Sequence, residues 1–414
     1  MRKQKIVFSL DRIIIYLKRK RNHMKKISFV LVAVLILTFS EFFRNMGLTS
    51  SFGGFGELQI CPHKDPNVTE LINKNQMGLE YLPEHRTSFC VTKDPIWEST
   101  ECPGFGQAIE YVLSDWTNEN NKRITLHEYG FFSMIHSSFN AIIEAVLKGE
   151  KIYFPKLNRW SGKNKKKSFD LWLNSGQNRN LKPREQDYQR ISKECGDVND
   201  VDAVNSIVRF GVMSQLMYSL LKPKKFIEDR VKKRKKSFNW DKNDKVIGLY
   251  IRRGDSCEAS EMERTKRICD DLLHYMDDVK RVSEKYSINK IYLLSDGGTY
   301  IYNQTKEYPS YEWMYESTSP HAEGNGRIED RLRKGDLDGE LEATELLVDF
   351  FTLVTSDVLV GKMTSNVFRG AVEYKSGELK SIAPYISLDA PWCFCFACFG
   401  KVEKGFFKGE DFHC

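Results

Sequence analysis

The 414-residue sequence has no internal repeat of fixed period and no sustained heptads, which excludes a repeat architecture and a coiled-coil stalk. Its glycine clusters, Gly53-Gly-Phe-Gly56 and Gly104-Phe-Gly106, lack the following Gly-x-x-Gly of a dinucleotide fingerprint and read as turns. A basic working surface is missing as well. The formal net charge is +7, from 63 Lys+Arg against 56 Asp+Glu, but residues 1–26 alone hold ten basic side chains and one acid. The rest of the chain therefore sums to −2, which gives no support to general nucleic-acid affinity. Long apolar runs are scarce too, with a single one at residues 27–43. At 41% apolar and 12% aromatic residues, the body can bury an ordinary core, which excludes wholesale disorder.

The one apolar run, Ile27 to Phe43, has about the shortest length that spans a bilayer. It carries no polar face before Glu41, so it reads as an anchor rather than a core helix. Basic residues on its N-terminal side predict a cytosolic tail (1–26) and a lumenal body from residue 48, a single-pass type II arrangement in the ER or Golgi membrane. Cleavage after Ser40 is the alternative to an uncleaved signal anchor. Ten cysteines fit disulfides in an oxidising lumen, and sequence alone does not pair them. Asn67-Val-Thr69 and Asn303-Gln-Thr305 are glycan acceptor sequons. In the tail, Cys393-Phe-Cys395-Phe-Ala-Cys398 has a first spacing of one residue, which favours disulfides over zinc.

Residues 48–120 read as a stem merging into a loop-rich lobe. From residue 121 strands and helices alternate. Ile124-Thr-Leu126 is a predicted strand, Ile135 to Val146 a helix closed by Gly149, and Lys151-Ile-Tyr-Phe154 the next strand. Met213 to Leu220 predicts a helix ended by Pro223, and Phe226, Ile227 and Val231 suggest another. Val246–Ile251, Ile291–Leu294 and Val358–Val360 are strands, interleaved with helices around Leu272–Val279, Leu346–Val354 and Ser365–Tyr374. The expectation is an α/β protein with two Rossmann-like domains facing a cleft, residues 121–240 and 241–380, followed by a Cys-rich tail at 381–414.

The most informative stretch is Tyr250-Ile-Arg252-Arg253-Gly-Asp255. An apolar strand that empties into two arginines puts planar, permanently charged forks where an anionic ligand binds. Asp255 is spaced to hold one guanidinium. Asp336-Leu-Asp338 has the letters of a metal-binding Asp-x-Asp but sits in a polar loop, so no metal or other cofactor is expected.

These motifs resemble the α1,6-fucosyltransferase and NodZ family of the GDP-fucose-dependent O-fucosyltransferase superfamily. The family strand ends His-x-Arg-Arg-x-Asp, with Tyr250 here in place of the histidine. Met213 to Pro223, Tyr292-Leu-Leu-Ser-Asp296, and the unit from Val348-Asp349 to Thr364-Ser365 and Arg369 follow in family order. The resemblance implies a GT-B-like fold and a metal-independent, inverting transfer of fucose from GDP-fucose to a glycan or glycoprotein hydroxyl. It implies that Arg252 binds the diphosphate, Ser365 the β-phosphate and Asp349 the guanine, while Arg253 and Asp255 order the site. Tyr250, Asp296 and Thr364 join the donor set, and Gly130 and His136 belong to the acceptor-side loop. Ser256 and Ser260 replace the family's acceptor-side Lys and Glu, so Glu258 and Glu261 are the base candidates. The alternatives are an inactive lectin-like ectodomain of the same fold, and an α1,2-type or other GDP-sugar transferase.

Overall fold

The computed structural model describes residues 89–91, 105–126, 130–157, 159–161, 168–175, 183, 207–257, 269–316, 327–380, 382–389 and 392. The apolar run at 27–43, Asn67, Glu258, Glu261 and the cysteines at 393–398 lie outside these residues. Among the described residues, no helix is long and apolar enough to cross a membrane.

Strand β1 (Phe89–Val91) and helix α1 (Phe105–Leu113) come from the stretch expected to be loop-rich. Phe105, Ala108, Ile109, Val112 and Leu113 recur at helical spacing and are buried, which is why α1 joins the core. Then follow β2 (Lys122–Arg123), α2 (Phe131–Lys148) and β3 (Ile152–Tyr153). These make the expected βαβ unit, β2 and β3 pairing in parallel. The first strand starts earlier than its apolar residues suggest, because the charged Lys122 and Arg123 make the ladder and Ile124 extends it with a 3.2 Å bond to the Tyr153 carbonyl. Gly149 ends α2 in the left-handed conformation (φ 63°) that favours glycine.

Helices α3 (Ile207–Leu220) and α4 (Lys225–Ser237) lead to β4 (Val246–Ile251), α5 (Leu273–Tyr286) and β5 (Lys290–Ser295). Next come α6 (Gly298–Gln304), β6 (Glu312–Met314), α7 (Ile328–Lys334) and α8 (Gly339–Leu353). Strand β7 (Val358–Gly361), α9 (Asn366–Leu379) and β8 (Tyr385–Ser387) complete the order. Asp338, one of the two aspartates with metal-motif spacing, is the N-cap of α8 and accepts from the amides of Glu340 and Leu341 at 2.9 and 3.3 Å.

Six strands form one sheet in the order β1-β8-β7-β4-β5-β6. All neighbours are parallel except β1, which runs antiparallel to β8 along the edge. The chain thus winds outward from β4 through β5 to β6, returns to β7 beside β4, and winds the other way to β8. This is doubly wound topology with its reversal between β4 and β7.

Period-two alternation sends the two faces of β4 into different cores. Ile247, Leu249 and Ile251 pack with Tyr275, Met276 and Val279 of α5 and Ile301 of α6. Val246 and Tyr250 point the other way, into a cluster with Leu347 and Phe350 of α8 and Phe368 and Val372 of α9. The same cluster continues through Met213 and Leu216 of α3 to Phe131, Phe139 and Ile142 of α2, so the βαβ unit and the large sheet share a core.

The contact between α9 and α3 is close at Gly377, where an added Cβ would lie 2.3 Å from the Ser214 carbonyl oxygen. Gly106 in α1, by contrast, has nothing within 4 Å of its missing Cβ. Gly377→Ala should therefore cost about 1–3 kcal/mol through overpacking, whereas Gly106→Ala should be neutral or stabilising by up to about 1 kcal/mol. Thermal melting of the full chain checks both, and equal melting of the two variants would contradict the packing described.

Candidate active site

Where a doubly wound sheet reverses its order, helices on opposite faces leave a crevice outside the carboxyl ends of the central strands. Here those strands are β4 and β7, and Leu249 pairs with Val360. Arg252 and Met363 therefore both stand three residues past that pair, at the mouth of the crevice.

Strand alternation separates the two arginines. Arg253 follows the α5–α6 face, where its guanidinium pairs with Asp271 and lies 4.5 Å from the Tyr300 ring centroid. Arg252 follows the face of α8 and α9, and pairs with Asp296 just past β5. Asp296 uses its other oxygen to accept from the Arg253 amide at 2.5 Å. One carboxylate therefore fixes both the backbone of the arginine pair and the head of Arg252. Gly254 permits this, since at φ 29° a Cβ there would meet the Asp296 carboxylate oxygen at 2.6 Å. Asp255 lies in the short turn Gly254–Cys257.

The β7 side supplies a third cation. Lys362 is 9% exposed and pairs with the buried Asp270. Thr364 donates its hydroxyl to Asp389, which also accepts from the Met363 amide at 2.8 Å and the Ser387 hydroxyl at 3.1 Å. Burial pushes the Asp389 carboxyl above its ordinary range, against the opposing pull of Lys362 and these donors. Ser365 is the N-cap of α9, is 6% exposed, and makes no side-chain cap bond. The first amides of this 14-residue helix, which follows β7, lie at the carboxyl end of the sheet, where an anion is favoured.

A disulfide joins Cys257 to Cys269. It closes the loop that carries Glu258 and Glu261, and it ties the turn after Arg253 to the segment bearing Asp270 and Asp271. The two base candidates themselves lie outside the described residues.

Tyr250 and Asp349 sit deeper. Tyr250 is 4% exposed within the core. Asp349, on α8, is 2% exposed and pairs with Arg234 of α4, while the Tyr292 hydroxyl lies 3.4 Å from its Oδ1. Arg234 also pairs with Glu345 at 3.0 Å. The carboxylate expected to meet guanine is thus held by a guanidinium beside the middle of β5, rather than at the crevice mouth.

Gly130 is the N-cap of α2. His136 lies between α2 and α9: its Nδ1 is 2.9 Å from the Phe132 carbonyl and its Nε2 is 3.0 Å from Glu373. Arg369 Nε approaches the same Nε2 at 3.4 Å, and Arg369 also donates to Asn366 at 2.6 Å. This chain braces the first turns of α9, one turn behind Ser365. Asn303 is exposed on α6 and accepts from Lys306 at 3.1 Å, while the sequon's Thr305 hydroxyl is buried against the Tyr302 carbonyl at 2.7 Å.

Asp270, Asp271, Lys362 and Asp389 were not singled out from sequence, because their partners are remote in the chain. The run Val358–Gly361 followed by Lys362, a strand emptying into a cation as at Arg252, was the available signal for Lys362.

Burial first, and the Arg369 guanidinium second, lower the His136 pKa, with Glu373 opposing. The folded protein then binds fewer protons here than the unfolded chain, whose histidine titrates at about 6.5. The stability His136 contributes is present above that value and is lost as pH falls below it and through the folded value. The melting temperature should fall between about pH 7 and about pH 5, less steeply in His136→Gln. Parallel melting curves for parent and variant would contradict this brace.

Comparisons with known proteins meet this geometry at the same residues. Residues 202–390, a little under half of the chain, match the family described as alpha-(1,6)-fucosyltransferase N- and catalytic domains. No curated protein matches the chain. Among solved structures, POFUT1 in complex with GDP-fucose is 8% identical over 72% of this chain and 94% of that one, with a TM-score of 0.33. The POFUT1 apo-form is 10% identical over 72% and 95%, with a TM-score of 0.30. Over residues 202–390, which hold the arginine pair, Asp296, Asp349 and Ser365, the chain shows its resemblance to the alpha-(1,6)-fucosyltransferase family.

Proposed function

We propose that this chain is a fucosyltransferase that moves fucose from GDP-fucose to a hydroxyl of a glycan or glycoprotein, with inversion and without a metal ion. The observation that carries the reading is Arg252, held by Asp296 at the sheet's reversal point opposite the N-terminus of α9, inside the segment that matches the family. In the reaction, the bond between the fucose anomeric carbon and the β-phosphate oxygen breaks and GDP leaves. Negative charge grows on the β-phosphate as positive character grows on the sugar. In this reading Arg252, the Ser365 hydroxyl and the first amides of α9 meet that charge, which is how fixed donors accelerate such a step.

Arg252 is paired with Asp296. An incoming diphosphate competes for the guanidinium, while Asp296 keeps its bond to the Arg253 amide, so the backbone under the arginine stays in place. For Asp349 to meet guanine, Arg234 must first release it. The acceptor hydroxyl attacks the anomeric carbon from the face opposite GDP and gives its proton to a carboxylate, Glu258 or Glu261, on the loop closed by Cys257 and Cys269.

The acceptor side is assigned to the βαβ unit, making two Rossmann-like parts facing a cleft. In support, Gly339 at the start of α8 meets the Arg159 carbonyl so closely that an added Cβ would lie 2.0 Å from it. Since α8 ends in the turn that feeds β7, its start lies toward the carboxyl end of the sheet, so the segment after β3 reaches that side. The disulfide fits a lumenal, oxidising compartment behind an anchor at residues 27–43.

Arg252→Ala loses both charge and fork, whereas Arg252→Lys keeps the charge alone. Removing one such stabiliser typically costs about 2.7–4 kcal/mol, or roughly 100- to 1000-fold in turnover. Transfer from GDP-fucose by the full chain, assayed in excess chelator, should fall at least that far in Arg252→Ala and recover only in part in Arg252→Lys. Parent-like transfer and GDP affinity in a folded Arg252→Ala would reduce the arginine to a strand-end salt bridge and remove the main support for the assignment.

A further inference from the structure

A cavity whose lining does not include Arg252 lies outside the carboxyl ends of β2 and β3. It has a volume of about 410 Å³ and adjoins another of about 380 Å³, the two sharing Arg123, Pro155 and Lys156. Each alone falls within the range of about 300–1,000 Å³ typical of small-molecule sites. Like the crevice at Arg252, it occupies the place where parallel strands end and their connections diverge.

Its chemistry differs from that of the crevice. At the crevice, each of the three cations faces a carboxylate: Arg252 with Asp296, Arg253 with Asp271, and Lys362 with Asp270. The residues lining the β2–β3 cavities include two cations common to both, Arg123 and Lys156, against one acid, Glu119. That acid already accepts from the Tyr153 hydroxyl at 3.3 Å. Arg123 ends β2 opposite Tyr153 of β3, and Lys156 stands three residues past Tyr153, so both follow the carboxyl end of the same ladder. Beneath them, Met134, Leu157 and Trp160 are buried and form an apolar floor.

We propose that this pair of cavities binds an acidic saccharide, a disaccharide-sized segment whose carboxylate or sulfate is gripped by Arg123 and Lys156. The guanidinium and ammonium match an oxyanion. The floor of Met134, Leu157 and Trp160 suits the CH faces of a sugar ring. A free inorganic anion would use the cations and leave the floor empty. The choice of a saccharide rests on reading the chain as a glycan-modifying enzyme; the choice of an acidic one rests on the cavity's charge. It makes the acceptor, or the glycan carrying it, an anionic one.

The test is calorimetric titration of the full chain, in the absence of GDP-fucose, with three probes. They are a disaccharide of glucuronic acid and N-acetylglucosamine, its neutral counterpart with glucose in place of the uronic acid, and inorganic sulfate. The uronic acid probe should bind at least tenfold tighter than either of the others, and weaken as salt rises. Arg123→Glu and Lys156→Glu, both at exposed positions, should each weaken it at least tenfold with unchanged melting curves. Equal affinity for the acidic and neutral disaccharides, or indifference to both charge reversals, would overturn the proposal. Sulfate binding as tightly as the disaccharide would overturn its saccharide part. Because no donor is present, the outcome is independent of transfer: a chain that binds the acidic probe but transfers no fucose would refute the enzymatic reading and leave the anion site standing.

Discussion

The constraint on which the structure depends is the reversal of strand order between β4 and β7. The reversal puts the carboxyl end of β4 at a crevice, and strand alternation sends consecutive residues leaving β4 to opposite faces. Arg253 is taken up by Asp271 and Tyr300, while Arg252 remains on the side of α9. The two arginines are thus held by different partners on different faces, separated by strand alternation. Asp296 couples them through its two oxygens.

Around this point the protein buries charge sparingly and in pairs, which is the condition for burying it at all. Asp349 with Arg234 holds α8 against α4, and His136 with Glu373 and Arg369 holds α2 against α9. Trp392 adds a 2.8 Å bond to Glu373, so a residue past β8 contributes to the same brace. Two of these groups, Asp349 and His136, stand at motif positions and nevertheless serve in packing here. Residues that match a family pattern can hold the scaffold of a site as well as touch its ligand.

Much of this was legible in the sequence. The apolar runs at Val246, Ile291 and Val358, and the helical spacing around Leu347 and Phe350, were strong enough to place elements within a few residues. The arginine pair declared itself because a buried strand that empties into cations has few uses. What escaped has physical reasons. Strand β1 is only Phe89–Val91, too short to show a period. Strand β2 is Lys122–Arg123, charged where a strand was expected to be apolar. The pairings of Lys362 with Asp270, Arg234 with Asp349 and Cys257 with Cys269 depend on which helices and loops the fold brings together, and local pattern carries no such information.

The most direct measurement is a crystal structure of the full chain soaked with GDP. The account predicts a diphosphate between Arg252 and Ser365, within hydrogen-bond reach of both, with Asp296 released from the guanidinium and still bonded to the Arg253 amide. A diphosphate seated elsewhere, with the Arg252–Asp296 pair intact, would contradict it.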